Sequence, residues 1–303
     1  MHPAPSLIVF TVLSGLGLGL IFWTGLGLGP DGAAHAWTAS ILGLAIAAMG
    51  GAASTLHLAN PKNAWRAFSQ WRSSWLSREA CLMVATLAAF GLYAAFWTLG
   101  GARIAALGWL TAALAGATVY ATAMIYAQLK PVPRWSGTPT PQLFLALSLA
   151  GGLLASQAVQ GLAGSAEGGW RVLPALIFAA GITIWWQTQA AGARRSADGS
   201  SIASATGLGG QGRVRLFEGP HTGSNYLLDE MAFRVGRGRA YQLRWLGALL
   251  GFVLPLALSL VALGLGSWAL VLALLVHVAG MMALRWLFFA EAEHVQALYY
   301  GLE

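Results

Sequence analysis

Residues 246–290 read LGALLGFVLPLALSLVALGLGSWALVLALLVHVAGMMALRWLFFA, with Arg285 the one formal charge in the run. A helix needs about 20 apolar residues to cross the hydrocarbon core of a bilayer. This run is more than twice that length and carries Gly266 near its middle, so it reads as two spans joined in a tight hairpin. Comparable apolar stretches lie at 6–29, 37–58, 80–99, 104–129, 142–162 and 172–188, ahead of the pair at 246–265 and 267–290. The first is too long for a signal-peptide core and lacks a basic start, so it is expected to be a mature span. Of 303 residues, 57% are apolar and 9% charged, against roughly 25% charged in a soluble domain. The sequence therefore specifies an all-α polytopic membrane protein with eight transmembrane helices, forming one domain over 1–303. Disordered, collagen-like and disulfide-rich classes are excluded. With Cys81 the single cysteine, no intrachain disulfide or thiolate-held iron–sulfur cluster can form.

The basic residues set the orientation. Lys62, Arg66, Arg72 and Arg78 fall in the second loop, and Lys130 and Arg134 in the fourth. The sixth holds Arg194, Arg195, Arg213, Arg215, Arg234, Arg237, Arg239 and Arg244, while the odd loops have only Arg103 and Arg171. Cytoplasmic loops retain Lys and Arg, which places the even loops and both termini in the cytoplasm. The long loop at 190–245 divides into a Gly/Ser/Ala-rich part, 190–212, expected to be a flexible linker, and a richer part, 213–245, expected to dock a partner. Loops of this length in compact proteins usually serve a function. Gly15, Gly19, Gly25 and Gly29 include pairs four residues apart, a spacing that lets helix backbones approach closely in lipid.

No Walker loop, calcium loop, paired-Cys motif or HExxH helix occurs, and no metal ligand set is found. His2 and His35 are expected in solvent, and His277 is read as a packing residue of the last span. A b-type haem would need two axial ligands at matching depth. His277 lies about 15 Å into its span at 1.5 Å per residue and His57 at the cytoplasmic end of the second span, so no haem is expected.

Residues 54–79, STLHLANPKNAWRAFSQWRSSWLSRE, are where chemistry is expected. His57 closes one span and Glu79 opens the next, which puts an imidazole and a carboxyl at one depth near the headgroups. Ionisable residues at such positions are costly unless paired or functional. An imidazole titrates near neutral pH, a carboxylate can accept or relay a proton, and Trp65, Trp71 and Trp75 supply flat apolar walls. Together they suit a lipid-borne quinone. The competing interpretation is that the loop simply follows the positive-inside rule and His57 ends a helix.

At these residues the chain resembles the dimethyl sulfoxide reductase anchor subunit family. The run His57-Leu58-Ala59-Asn60-Pro61 with Ser74-Trp75-Leu76-Ser77-Arg78-Glu79 resembles the family's HLG-x-P … SWLSRE pattern. Residues 123–127 (AMIYA) with Trp135 resemble its fourth-span motif, and 285–292 (RWLFFAEA) with Tyr299, Tyr300 and Gly301 its C-terminal end. Ala59 stands in place of the usual Gly, and Asn63 where some members carry Arg. The resemblance implies a quinone-reactive anchor without haem, whose quinone site falls on His57 and Glu79; Arg78, Asn60, Trp65 and Arg66 of the same stretch are expected to complete the quinone-binding and proton-transfer set. Lys62, Arg72, Arg134, His221, Asn225 and Tyr226 are then expected to dock an iron–sulfur subunit and a molybdopterin catalytic subunit. The stretch from Glu218 to Phe233, with Pro220, His221, Asn225 and Tyr226, is similar to a narrower branch, the membrane subunits of cytoplasmic quinone-linked sulfite dehydrogenases. Electrons from sulfite would pass to ubiquinone or menaquinone. Three alternatives stay open: a quinol-oxidising anchor of an S- or N-oxide reductase, a transporter without redox partners, and a purely structural anchor with no bound quinone. Membrane lipids are expected neighbours, and nucleic acid is not.

Overall fold

A computed structural model describes residues 4–57, 61–137, 139–164, 169–192, 201–215, 217–218, 239–292 and 294–295. Among them, eight helices are long and apolar enough to cross a membrane, and no strand occurs. They are α1 Pro5–Gly25, α2 Ala33–Ala53, α3 Trp75–Gly100, α4 Ala105–Ala127, α5 Pro139–Leu162, α6 Val172–Gly192, α7 Ala240–Leu265 and α8 Trp268–Ala290. In the long loop, Ile202–Thr206 forms one helical turn with a Ser201–Ser204 capping box.

Helices α1–α4 pack together, as do α5–α8, and the two halves meet along α1 and α5, the most enclosed helices. Without a hydrophobic drive inside lipid, that contact depends on close backbone approach. A methyl group on Gly19 would run into the Ser148 carbonyl and Gly152 of α5, and one on Gly15 into the Ser148 hydroxyl. Gly29 does a different job from the one its spacing suggests. It lies beyond α1 at φ +110°, in a turn beneath His35.

Two departures from the expected boundaries matter. Helix α2 starts at Ala33, ahead of the position expected from hydropathy, so His35 is on the helix and not in solvent. It is buried, edge-on to Trp97 at 5.7 Å. Arg103 shuts this end: it donates to the Gly27 and Gly29 carbonyls at 3.0 Å and pairs with Asp31 at 2.9 Å. At the other end, α3 begins at Trp75 instead of Ala80. The Ser77 hydroxyl binds the loop, donating to the Ala67 carbonyl and accepting from the Gln70 N–H at 3.1 Å. That extra turn carries Glu79 on the helix and turns it inward.

Helix α7 is interrupted by a π turn at Leu249–Val253. Pro255 has no N–H to offer the carbonyl of Gly251, four residues back. His277 of α8 supplies the missing donor, its Nδ1 lying 2.7 Å from that carbonyl. The packing role expected for His277 is therefore a specific bond between the last two helices.

Candidate functional site

Helices α3 and α4 share a polar seam that begins at the end of the bundle carrying the basic second loop. Glu79 is buried, and the Thr122 hydroxyl lies 2.5 Å from its Oε1. The same hydroxyl is 3.1 Å from the Thr118 carbonyl. A hydroxyl owns one proton, so this geometry serves two states. Ionised, Glu79 accepts from Thr122. Protonated, it donates to Thr122, which then turns its own hydrogen to the Thr118 carbonyl. The carboxyl keeps a partner either way. Farther along the seam, the Thr86 and Thr118 hydroxyls meet at 2.9 Å.

Around Glu79 the loop presents aromatic and basic side chains. Trp65, Phe68, Trp71 and Leu76 are exposed, and three cations stack on tryptophans: Arg66 at 5.6 Å from Trp65, Arg72 at 5.3 Å from Trp71 and Arg78 at 4.4 Å from Trp75. Arg78 also donates to the Trp71 and Arg72 carbonyls at 3.0 and 2.7 Å. It braces the loop, and its guanidinium is occupied there. Lys62, Trp65, Arg66 and Arg72 all lie on the surface. The backbone of His57 closes the turn Ser54–His57 that extends α2, and its side chain lies outside the described residues, as do Asn60, His221, Asn225 and Tyr226 entirely.

Arg134 does not belong to a docking surface. Its side chain is buried against the equally buried Glu291, which also receives the half-buried Arg244. The sequence counts Arg134 as a loop cation, but the loop folds inward. Trp135 donates to the Phe288 carbonyl at 2.9 Å, and Trp186 to the Thr140 hydroxyl at 3.0 Å. Tyr126 packs against Trp135, Phe144, Phe288 and Phe289 with ring centres 5.3–5.6 Å apart. The fourth-span motif and the 285–292 motif, far apart in the chain, thus form one cluster.

Sequence reasoning missed Thr122, Glu291 and the role of Arg285. Thr122 had a readable cue: Thr111, Thr118 and Thr122 recur along α4 at helical spacing, and Glu79 and Thr86 along α3. Side chains three, four or seven apart share a helix face. Arg285 is buried, its guanidinium 3.6 Å from the Phe144 ring centre. Tyr126, one turn beyond Thr122, packs on the same Phe144 ring.

Comparison with known proteins gives two matches. Residues 1–302 match the family model of the DMSO reductase anchor subunit (DmsC). The chain is also 31% identical to one of the subunits of the sulfite dehydrogenase of Allochromatium vinosum, over 99% of both chains.

Proposed function

Because the chain belongs to the DMSO reductase anchor subunit family, we propose that it is the quinone-reactive anchor of a molybdopterin and iron–sulfur oxidoreductase. Its partners dock on the basic end, at the cytoplasmic face of a bacterial inner membrane. In this reading sulfite is oxidised on the catalytic subunit, and electrons leave through the iron–sulfur subunit to ubiquinone or menaquinone held by this chain. The observation that carries the reading is Glu79, a buried carboxyl whose one hydroxyl partner accommodates it protonated or ionised, beside an exposed aromatic surface. That donor set fits a quinone head group, which takes up a proton with each electron as it becomes quinol.

The residues divide the work. Glu79 holds the proton and Thr122 keeps it oriented. Trp65 and Trp71 offer apolar faces to a lipid-borne ring, and Arg66 offers a charge-assisted donor. His57 and Asn60, at the end of α2 and just after it, are assigned to the same site from the sequence motif. Lys62 and Arg72 face the docked subunits, joined by His221, Asn225 and Tyr226. The name of the relative from Allochromatium vinosum and the basic even loops favour sulfite as the electron source. The quinol-oxidising alternative would place the catalytic partners on the opposite face.

The test is the purified complex carrying Glu79→Gln or His57→Ala. Both should lose quinone reduction and the binding of a quinone-site inhibitor, while sulfite oxidation with an artificial acceptor continues. Unchanged quinone reduction and inhibitor affinity in both variants would refute the site.

A further inference from the structure

Between α1, α5 and α8 lies a small, partly open cavity where Thr11, Ser148, His277 and Arg285 meet apolar neighbours such as Leu147 and Met281. Its enclosed part has room for about one or two water molecules. Its polar groups point to water. The Nδ1 of His277 is committed to the Gly251 carbonyl, and its Nε2 has no hydrogen-bond partner among the described residues. Gly151 leaves the space beside that atom open, since a methyl group there would sit 3.0 Å from Nε2. Arg285, two turns along α8 from His277, has Nη1 buried and likewise without a partner. No acidic side chain pairs with it among the described residues. A second small cavity borders it on the other side, next to Thr183 and Gln187 of α6. A guanidinium stays charged inside a protein, and an unpaired charge within a membrane is costly unless water reaches it. The larger of the two spaces beside this one can hold such a water.

The place of Arg285 in the bundle then matters. On one side Arg285 stacks on Phe144, which packs against Tyr126, one turn along α4 from Thr122, the partner of Glu79. On the other, the cavity runs to His277, and the buried polar residues of α5 continue toward the opposite end: Ser156, its hydroxyl 3.2 Å from Gln160 Nε2, and Gln157, whose amide has no partner among the described residues. Hydrated polar groups inside a span invite protons, and a fixed arginine charge is a known barrier to them in water-filled pores.

We propose that this cavity is a water site and that Arg285 is its electrostatic plug, keeping protons on the far side of the bundle from reaching Glu79. The purpose of the plug rests on the reading of Glu79 as a proton-exchanging group, but the water site and the barrier do not. Proton uptake at Glu79 would then come from the basic end alone.

The test uses the intact complex. Hydroxyl radicals generated by X-rays from bound water should oxidise Met281 while leaving the fully buried Phe90 untouched. A Met281 as protected as Phe90 would mean a dry cavity and overturn the proposal. In sealed proteoliposomes with an internal pH dye and an imposed potential, Arg285→Gln should leak protons several-fold faster than wild type, and Arg285→Lys should stay tight. An Arg285→Gln complex as tight as wild type overturns the plug. Both readouts are independent of quinone turnover, so a failure of the quinone site leaves them interpretable. Should Arg285→Gln not assemble, a proton leak already present in the wild-type complex, or a leaky Arg285→Lys, counts against the proposal.

Discussion

Thr122 holds the Glu79 carboxyl at 2.5 Å across the α3–α4 interface and can do so whichever of the two carries the shared hydrogen. Thr122→Val keeps the shape and removes the hydroxyl. A buried group left without its partner costs about 1–3 kcal/mol, so quinone reduction in this variant should fall roughly tenfold, each 1.4 kcal/mol being about a factor of ten. Thr122→Ser should retain most of the activity. Steady-state rates with a soluble quinone analogue check this, and equal losses in the two variants would reduce Thr122 to packing.

Glu291 accepts from two guanidiniums, one of them fully buried. Removing one partner of a buried pair costs about 3–5 kcal/mol, because the remaining charge stays out of water. Glu291→Gln should therefore lower the thermal midpoint of the detergent-solubilised complex markedly. Arg244→Gln should do so only slightly, since that side chain is partly exposed and solvent screens it. A melting series of the three proteins decides it.

Much of the bundle was legible because lipid demands long apolar helices, and eight runs of the required length stand out in the sequence. Helix ends were less legible. Hydropathy sees Glu79, Arg78 and His35 as polar and stops the spans short, whereas the chain continues helically through them: Ser77 and Arg78 satisfy the loop carbonyls, and Arg103 closes the opposite turn. The Glu79 half of the site could be named from its motif, but its partner Thr122 lies on another helix, and only packing brings the two together. Arg134 reads as one more loop cation, and nothing in its neighbourhood in the chain reveals Glu291, the distant residue that draws it inward.

Gly19 is the point at which the two halves touch backbone to backbone. Gly19→Val would force α1 and α5 apart, an overpacking that typically costs about 1–3 kcal/mol, and should reduce the amount of complex in the membrane. Gly32→Ala is the control, with open space around it and a backbone conformation that alanine adopts; surface changes of this kind stay within about 0.5 kcal/mol. Immunoblots of membrane fractions provide the comparison.

Orientation can be read with one probe because Cys81 is the sole cysteine. In a Cys81→Ser background, new cysteines at Gln70, in the basic second loop, and at Trp170, exposed in the fifth, lie at opposite ends of the bundle. A membrane-impermeant maleimide added to intact cells should label Trp170→Cys once it has crossed the outer membrane, and should label Gln70→Cys only after the inner membrane is opened. The reason is the cost of moving Lys and Arg outward across an energised membrane during insertion, which acts most strongly on short loops such as this one. The opposite pattern would place Glu79 and the docking surface outside the cytoplasm. Cytoplasmic sulfite oxidation would then be untenable for this chain, and the quinol-oxidising alternative would take its place.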